Sequence, residues 1–148
     1  MKTVNNFNLN IPSRSANESF ARTAVSAFLT QLDPTLEEIN DIKTAVSEAV
    51  TNCIVHAYKE KIGKIYISCA INDNNVVKIK IKDNGVGIEN IQQAMEPLYS
   101  SLGGERAGLG FIVMQSFMDS IKVRSTVGKG TTVTLTKKIN SKFTVNGN

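Results

Sequence analysis

The chain opens with apolar residues at every second position, which predicts a short half-buried strand ending at Pro12. The apolar positions of this strand are Phe7, Leu9 and Ile11. Apolar residues then recur at helical spacing and predict a first amphipathic helix, with Ser15 and Glu18 at the spacing of a capping box. Its apolar positions are Ala21, Ala24, Val25, Phe28, Leu29 and Leu32. Asp33-Pro34 should end this helix.

A second, longer helix is predicted next, because Thr35 and Glu38 repeat the capping-box spacing before a broad apolar face. That face comprises Ile39, Ile42, Val46, Ala49, Val50, Cys53, Ile54 and Ala57. Two alternating segments then predict a hairpin around the turn residues Asn72-Asp73-Asn74-Asn75. Their inward positions are Ile65, Ile67, Cys69 and Ile71 in one strand, and Val77, Ile79 and Ile81 in the other.

The second half of the chain is richer in glycine. After Asp83 we expect a short helix within residues 89–96, a mobile aperiodic loop up to residue 107, and a third helix after Gly108-Leu109-Gly110. Two last strands are predicted around residues 121–123 and 132–135. Because most strands come as hairpins, the chain predicts an α/β two-layer sandwich of the α+β kind. Its sheet should be mixed or mostly antiparallel, with helices on one face, which disfavours a Rossmann fold.

Composition indicates one domain. A chain of 148 residues with 41% hydrophobic residues can bury a single core, which we assign to residues 1–140, with a disordered tail at residues 141–148. Cys53 and Cys69 have neither the spacing nor the neighbours of a zinc site or a disulfide framework. No apolar run suits a secretory signal or a membrane span, so we expect a cytoplasmic protein.

The net charge of +4 is modest and by itself excludes few classes of binding partner. The basic residues are scattered along the chain rather than gathered in one block, so direct binding to nucleic acid is weakly supported. An anionic ligand or an acidic protein partner explains the charge equally well.

Candidate chemistry begins with Glu48 and Asn52, which are four residues apart and therefore share one face of the second helix, away from its apolar stripe. Taken alone, the pair is more simply an ordinary solvated helix face. Asp83-Asn84-Gly85-Val86-Gly87 follows directly on a strand, where a carboxylate can accept a hydrogen bond from an adenine amino group and glycines let the backbone approach a flat ring. The alternative for this segment is a tight turn.

Two further glycine clusters, Gly103-Gly104 and Gly108-Leu109-Gly110, precede the third helix. Unblocked amides and the positive end of a helix favour phosphate, although a flexible loop with a helix cap would look the same. The ordered combination of these elements with Glu48, Asn52 and Asp83 is much less expected by chance than any one of them.

In this order the motifs resemble those of the ATPase superfamily that includes gyrase, the Hsp90 chaperone, histidine kinases and MutL, which implies a Bergerat-type ATP-binding fold. Residues 19–22, residues 31–35, and residues 46–52 with His56 further resemble the anti-sigma-F factors of spore-forming bacteria, the SpoIIAB family of serine kinases. The resemblance spans residues 7–138, and its most specific part is residues 17–58.

The resemblance implies roles for single residues. Glu48 would be the general base and Asn52 the ligand of Mg²⁺ in an ATP or ADP complex. Asp83 would recognise adenine, Gly87 would leave room beside the ring, and Thr132 would support the same pocket. An ordinary strand threonine is the alternative for Thr132.

Residues 98–107 correspond to the lid of the family. Gly108, Leu109 and Gly110 would supply backbone amides to phosphate, and Arg106 would reach the terminal phosphate, although loop arginines are usually just solvated. Ser100 and Ser101 are further candidates for phosphate contacts.

The resemblance also implies protein partners. Arg22 would belong to a surface that binds either a sigma factor of the sigma-F type or the substrate, a SpoIIAA-type anti-anti-sigma protein phosphorylated on serine. Phosphorylation would release the substrate and free the kinase to hold sigma. A homodimer is implied as well, without a direct nucleic-acid or membrane partner.

The chain departs from the family in Ala57, where glycine is frequent, and in Gly103-Gly104 of its lid. His56 is assigned no catalytic role.

Three alternatives stay open. One alternative is a related serine kinase for a stress sigma factor, and another is an ATP-gated binding module without phosphoryl transfer. A histidine-kinase catalytic domain fits less well, because no helical segment carries a phospho-acceptor histidine.

Overall fold

The computed structural model describes residues 2–96 and 107–140. Within them, the elements run β1 (Thr3–Pro12), α1 (Ala16–Leu29), α2 (Leu36–Asn52), β2 (Lys64–Asn72), β3 (Val76–Asp83), α3 (Ile91–Ala94), α4 (Ala107–Phe117), β4 (Ser120–Thr126) and β5 (Gly130–Lys138). A 3₁₀ turn, Thr30–Leu32, follows α1, and a π-helical turn, Cys53–Ala57, continues α2. The predicted order of strand, two helices, hairpin, helix and hairpin is therefore confirmed. The predicted loop over residues 98–107 lies outside the described residues up to residue 106. The tail from residue 141 lies outside the described residues.

The five strands form one sheet in the order β1-β2-β3-β5-β4. All four pairings among the described strands are antiparallel. The predicted two-layer architecture is confirmed, and this part of the chain uses antiparallel pairing throughout. Side chains alternate between the two faces of the sheet, so one face is apolar and lies under the helices while the other is polar.

The core lies between the helices and the apolar face of the sheet. Fully buried side chains come from α1, α2, α4 and three of the strands, β2, β3 and β5, and the largest include Leu29, Ile42, Ile79, Phe111 and Leu135. Burying a side chain of this size contributes about 1.5–3 kcal/mol of transfer free energy. The core therefore fixes α2 and α4 side by side above the sheet.

Of the two predicted capping boxes, the one at the start of α2 is confirmed and the one at the start of α1 is absent. At the start of α2, the Thr35 side chain accepts a hydrogen bond from the Glu38 amide, and the Glu38 carboxylate accepts one from the Thr35 amide. At the start of α1, Ser15 makes no side-chain capping bond. The box predicted there is wrong, because the Glu18 carboxylate instead accepts a hydrogen bond from Ser47 of α2 and pairs with Arg22.

Candidate active site

A cavity of about 790 Å³ opens between the end of α2 and the segment that follows β3. The π-helical turn contributes to its wall with Cys53, His56 and Ala57, where the Tyr58 amide reaches back five residues to the Cys53 carbonyl at 3.1 Å. Such wide turns are frequent at functional sites. Three predicted site residues line this cavity: Asn52, Asp83 and Gly87. Its size is within the range of small-molecule pockets.

Asp83 forms the floor of the cavity and is only 5% exposed. Its Oδ1 accepts hydrogen bonds from the amides of Gly85 at 2.9 Å and Thr131 at 3.2 Å, and its Oδ2 accepts one from the Cys53 thiol at 3.5 Å. Burial raises the pKa of Asp83 above its ordinary value of 3.8, although these three hydrogen bonds oppose the shift. Burial and the neighbouring Asp83 carboxylate together raise the pKa of Cys53 well above 9.0.

The segment after Asp83 is held against the turn between β4 and β5. Gly87 has a φ of 77°, and a Cβ atom there would lie 2.4 Å from the Thr126 carbonyl oxygen. Gly128 donates its amide to the Val86 carbonyl at 2.8 Å, and Ile88 donates to the Ser125 hydroxyl at 2.7 Å. Only glycine fits at position 87, so the wall of the cavity depends on it.

Glu48 and Asn52 lie together, as their spacing predicts, but the first turn of α4 covers them. A Cβ atom on Gly110 would lie 3.1 Å from Glu48 Oε2 and 3.3 Å from Asn52 Oδ1. Both side chains are consequently half-buried rather than solvated. The Asn52 Nδ2 atom is buried and has no hydrogen-bond partner within the described ranges. As an N–H donor, it can be satisfied by a hydrogen-bond acceptor such as an oxygen of a ligand or a water molecule.

The predicted phosphate amides belong to this same first turn. Gly108 and Gly110 are buried, whereas the Leu109 side chain is 48% exposed. The first N–H groups of a helix have no partner within the helix, and its dipole favours anions there. The start of α4 thus places amide donors beside Glu48 and Asn52.

Thr132 does not line this cavity, and the prediction that it supports the pocket is wrong. It pairs with Lys82 and Arg124 and lies on the opposite, polar face of the sheet. The neighbouring Thr131 takes the place predicted for it: it is paired with Asp83, and its hydroxyl lies 2.8 Å from that of Ser125. Strand alternation could have indicated this, because Val133 and Leu135 share the parity of Thr131 and are buried.

Arg22 lies on α1, away from the residues that line the cavity. Its Nε atom is 3.4 Å from Glu18 Oε1, and the same carboxylate oxygen accepts a hydrogen bond from Ser47, the residue before Glu48. The Arg22 side chain keeps 40% exposure, so a partner protein can still reach it. Ser100, Ser101 and Arg106 lie outside the described residues, as does the lid up to residue 106.

Sequence comparisons agree with this geometry. Residues 11–137 match the model of the histidine kinase-like ATPase domain. A protein of Thermoanaerobacter pseudethanolicus called anti-sigma F factor is 58% identical over 142 residues, covering 95% of this chain and 99% of that protein. The chain belongs to the anti-sigma F factor family. Proteins of the same name from Clostridium acetobutylicum and Priestia megaterium are 54% and 49% identical, over 90% and 96% of this chain and 94% and 99% of their own lengths.

Solved structures support the fold of this anti-sigma F family member. The RsbU and RsbW domains of a Mycobacterium tuberculosis protein superpose with a TM-score of 0.69 at 18% identity, over 97% of this chain and 36% of that one. A histidine kinase domain from Erythrobacter litoralis superposes with a TM-score of 0.57, also at 18% identity, over 87% and 62% of the two chains. At this identity the likeness concerns the fold alone.

The site of this family member fits a nucleotide with Mg²⁺. The unpartnered Asn52 Nδ2 group can donate a hydrogen bond to a phosphate oxygen, and the Oδ1 atom of the same side chain is a hard neutral ligand for Mg²⁺. Asp83 offers a buried acceptor to an amino group. Within residues 2–96 and 107–140, no group of three His, Cys, Asp or Glu side chains could hold a metal ion by itself. No helix of the described residues is long and apolar enough to cross a membrane.

Proposed function

We propose that this protein binds and inhibits a sigma factor of the sigma-F type and, with Mg-ATP, phosphorylates a serine of its anti-anti-sigma antagonist. The observation that carries the proposal is the meeting of Glu48, Asn52 and the first turn of α4, where Asn52 also lines the cavity whose floor is Asp83. A base, a cation ligand, phosphate-binding amides and an adenine acceptor are the parts that phosphoryl transfer requires.

Each residue has a distinct task in this proposal. Asp83 accepts a hydrogen bond from the adenine amino group, and the Thr131 amide donates to Asp83 while the Thr131 hydroxyl meets that of Ser125. Asn52 would hold Mg²⁺ through its Oδ1 atom, while the amides of Gly108, Leu109 and Gly110 would bind phosphate oxygens. Glu48 orients and deprotonates the attacking serine hydroxyl, because its carboxylate lies beside these amides yet outside the adenine pocket. ATP would supply the γ-phosphoryl group to the serine oxygen and leave as ADP.

Partner switching follows from one shared surface. Arg22 lies outside the cavity and partly exposed, so the sigma factor and the unmodified antagonist can compete for it. Phosphorylation adds negative charge to the antagonist serine. The cost of desolvating this charge and its repulsion by Glu48 favour release of the antagonist. We further propose that the working unit is a homodimer, as the family resemblance implies.

The decisive experiment is mass spectrometry of the purified anti-anti-sigma protein after incubation with this chain, Mg²⁺ and ATP. We expect one phosphoserine with the wild type and none with Glu48→Gln, which keeps the shape of the side chain but cannot accept the proton. Glu60→Gln, at an exposed position outside the cavity, is the matched control and should keep wild-type activity.

Nucleotide binding must be measured on the same variants. Glu48→Gln should bind ATP with wild-type affinity, because the carboxylate acts in transfer and not in binding. ATP binding without phosphate on the antagonist, even in the wild type, would contradict the kinase proposal. Nucleotide-dependent capture of the sigma factor would then leave an ATP-gated binding module.

A further inference from the structure

The polar face of the sheet carries an unusual concentration of positive charge. Seven basic side chains point to this face and all are exposed. They are Lys64, Lys78, Lys80, Lys82, Lys122, Arg124 and Lys138. No Asp or Glu occupies an outward position of the five strands, since Asp83, the one acidic strand residue, points inward to the cavity. We define these seven residues as the basic face.

The basic face accounts for the net charge of the whole chain. Seven of the 17 Lys and Arg residues lie on it, so the rest of the chain carries ten basic and 13 acidic residues and is net negative. No ion pair within residues 2–96 and 107–140 neutralises any of the seven. Maintaining seven like charges on one sheet face costs stability through repulsion, which a bound anion would relieve.

The charges form a regular array. Pairing places Lys82 and Arg124 on either side of Thr132, and Lys80 and Lys122 on either side of Thr134. Successive outward residues on one strand are about 6.7 Å apart, and strands are about 4.8 Å apart. A shallow groove of about 330 Å³ runs beside this array, and its lining includes Asn8, Asn10, Tyr66, Ser68, Lys80, Lys82 and Thr132. These side chains offer ammonium, amide and hydroxyl donors and no carboxylate.

We propose that the basic face is a docking surface for an acidic, extended segment of a partner protein, separate from the nucleotide site and from the Arg22 surface. Alternate side chains of an extended peptide recur at the same interval of about 6.7 Å as Lys78, Lys80 and Lys82 on β3. Complementary charge at this spacing gives specificity and a fast association rate.

Other anionic partners fit this face less well. Single-stranded nucleic acid binds through free aromatic planes, but the ring of Tyr66 is covered by Lys82 at 5.7 Å and Lys64 at 6.0 Å. A membrane surface requires apolar side chains that insert between lipids, and no exposed Leu, Ile, Val, Phe or Met belongs to the outward positions of the strands. A second copy joined through the same face would oppose like charges.

The test measures binding of a fluorescent glutamate-rich peptide to the full chain by anisotropy at low and high salt. The double variant Lys80→Glu/Lys82→Glu should weaken binding at least about tenfold, because like charges then face each other. Lys43→Glu/Lys61→Glu changes the net charge equally but lies outside the basic face, so we expect a change below about twofold. Lys80→Gln/Lys82→Gln is a milder variant, expected to have an intermediate effect and to remain folded.

Three results would overturn the proposal. One is an equal loss of peptide binding in both charge-reversed variants, which would show attraction by net charge alone. Another is tighter binding of a single-stranded oligonucleotide with the same number of charges, which would assign the face to nucleic acid. The third is a change in the sedimentation of the free chain on reversal at Lys80 and Lys82, which would place the face between two copies. Unaltered ATP affinity in all variants verifies the fold.

Discussion

Gly110 and Glu48 lie so close that a single added methyl group on the glycine would reach 3.1 Å from the Glu48 carboxylate. The two residues belong to helices that are distant in sequence and packed side by side above the sheet. Position 110 therefore sets the distance between the proposed phosphate-binding turn and the proposed base. Glycine is needed at this position because a larger side chain would approach Glu48. The backbone angle does not require glycine, because the residue is helical.

Replacing Gly110 should separate activity from stability. Alanine is favoured over glycine in a helix by about 1 kcal/mol, so Gly110→Ala should unfold at the same temperature as the wild type or higher. Its Cβ atom would nevertheless displace Glu48 and Asn52, and we expect serine phosphorylation to fall at least about tenfold, since small misplacements of catalytic groups are costly. Phosphorylation rates and thermal unfolding of the same preparation provide the check.

Gln115→Ala is the matched control on the same helix, because Gln115 is exposed and outside the cavity. If Gly110→Ala phosphorylated its substrate at the wild-type rate, Glu48 and Asn52 would be able to move away from the added methyl group without loss of activity. The close approach would then have no part in the chemistry.

The two adjacent threonines of β5 offer a test of the pocket. Thr131→Val removes the hydroxyl that meets Ser125 but keeps the amide bonded to Asp83. The wall of the pocket then loses one supporting hydrogen bond, so the free energy of ATP binding should weaken by roughly 0.5–1.5 kcal/mol. Thr132→Val changes the polar face and should leave ATP affinity unchanged. Isothermal titration calorimetry can resolve this difference. If Thr132→Val weakened ATP binding and Thr131→Val did not, Thr132 would belong to the nucleotide site, contrary to the alternation of the strand.

The sequence contained enough information to place Thr131 inward. Val133 and Leu135 are apolar at the same parity, and this local alternation is more reliable than a motif position carried across a family. Most of the fold was predictable for the same reason, since period 2 and period 3.6 dominate residues 3–83. The element bounds differ by few residues from those expected.

Contacts between distant segments were not predictable. Nothing near Glu48 and Asn52 in sequence indicates that the first turn of α4 covers them. Nor does the spacing of Ser15 and Glu18 show that Glu18 binds Ser47 of another helix instead of capping its own. Periodicity reports which face of an element is apolar, but the partner of a polar side chain depends on tertiary packing.

The contrast between the two helix starts predicts different stability losses. Thr35→Ala removes a side-chain acceptor from the first turn of α2 and should lower the free energy of unfolding by about 1 kcal/mol. Ser15→Ala removes no capping bond and should change it by less than about 0.5 kcal/mol. Urea unfolding of both variants measures the difference. Equal losses would mean that Ser15 caps α1 in solution after all.

The raised pKa of Asp83 predicts opposite effects of acid on nucleotide affinity and on this group's contribution to stability. Burial favours the neutral carboxyl, so the folded protein takes up this proton at a higher pH than the ordinary value of 3.8. The stabilising contribution of this protonation is fully present below pH 3.8 and is lost as the pH rises through the raised pKa. Over the same interval, rising pH restores the carboxylate that we propose accepts a hydrogen bond from the adenine amino group.

Adenine nucleotide affinity should therefore decline on acidification before exposed carboxylates titrate, whereas Asp83→Asn should bind weakly at every pH and lack this step. Calorimetry or fluorescence titration over the acidic range measures both profiles, with Glu89→Gln at the exposed rim of the cavity as the control that keeps the step. If Asp83→Asn retained wild-type affinity, Asp83 would be a structural residue that ties Gly85 and Thr131 to the floor, and adenine recognition would have to come from the backbone around Gly87.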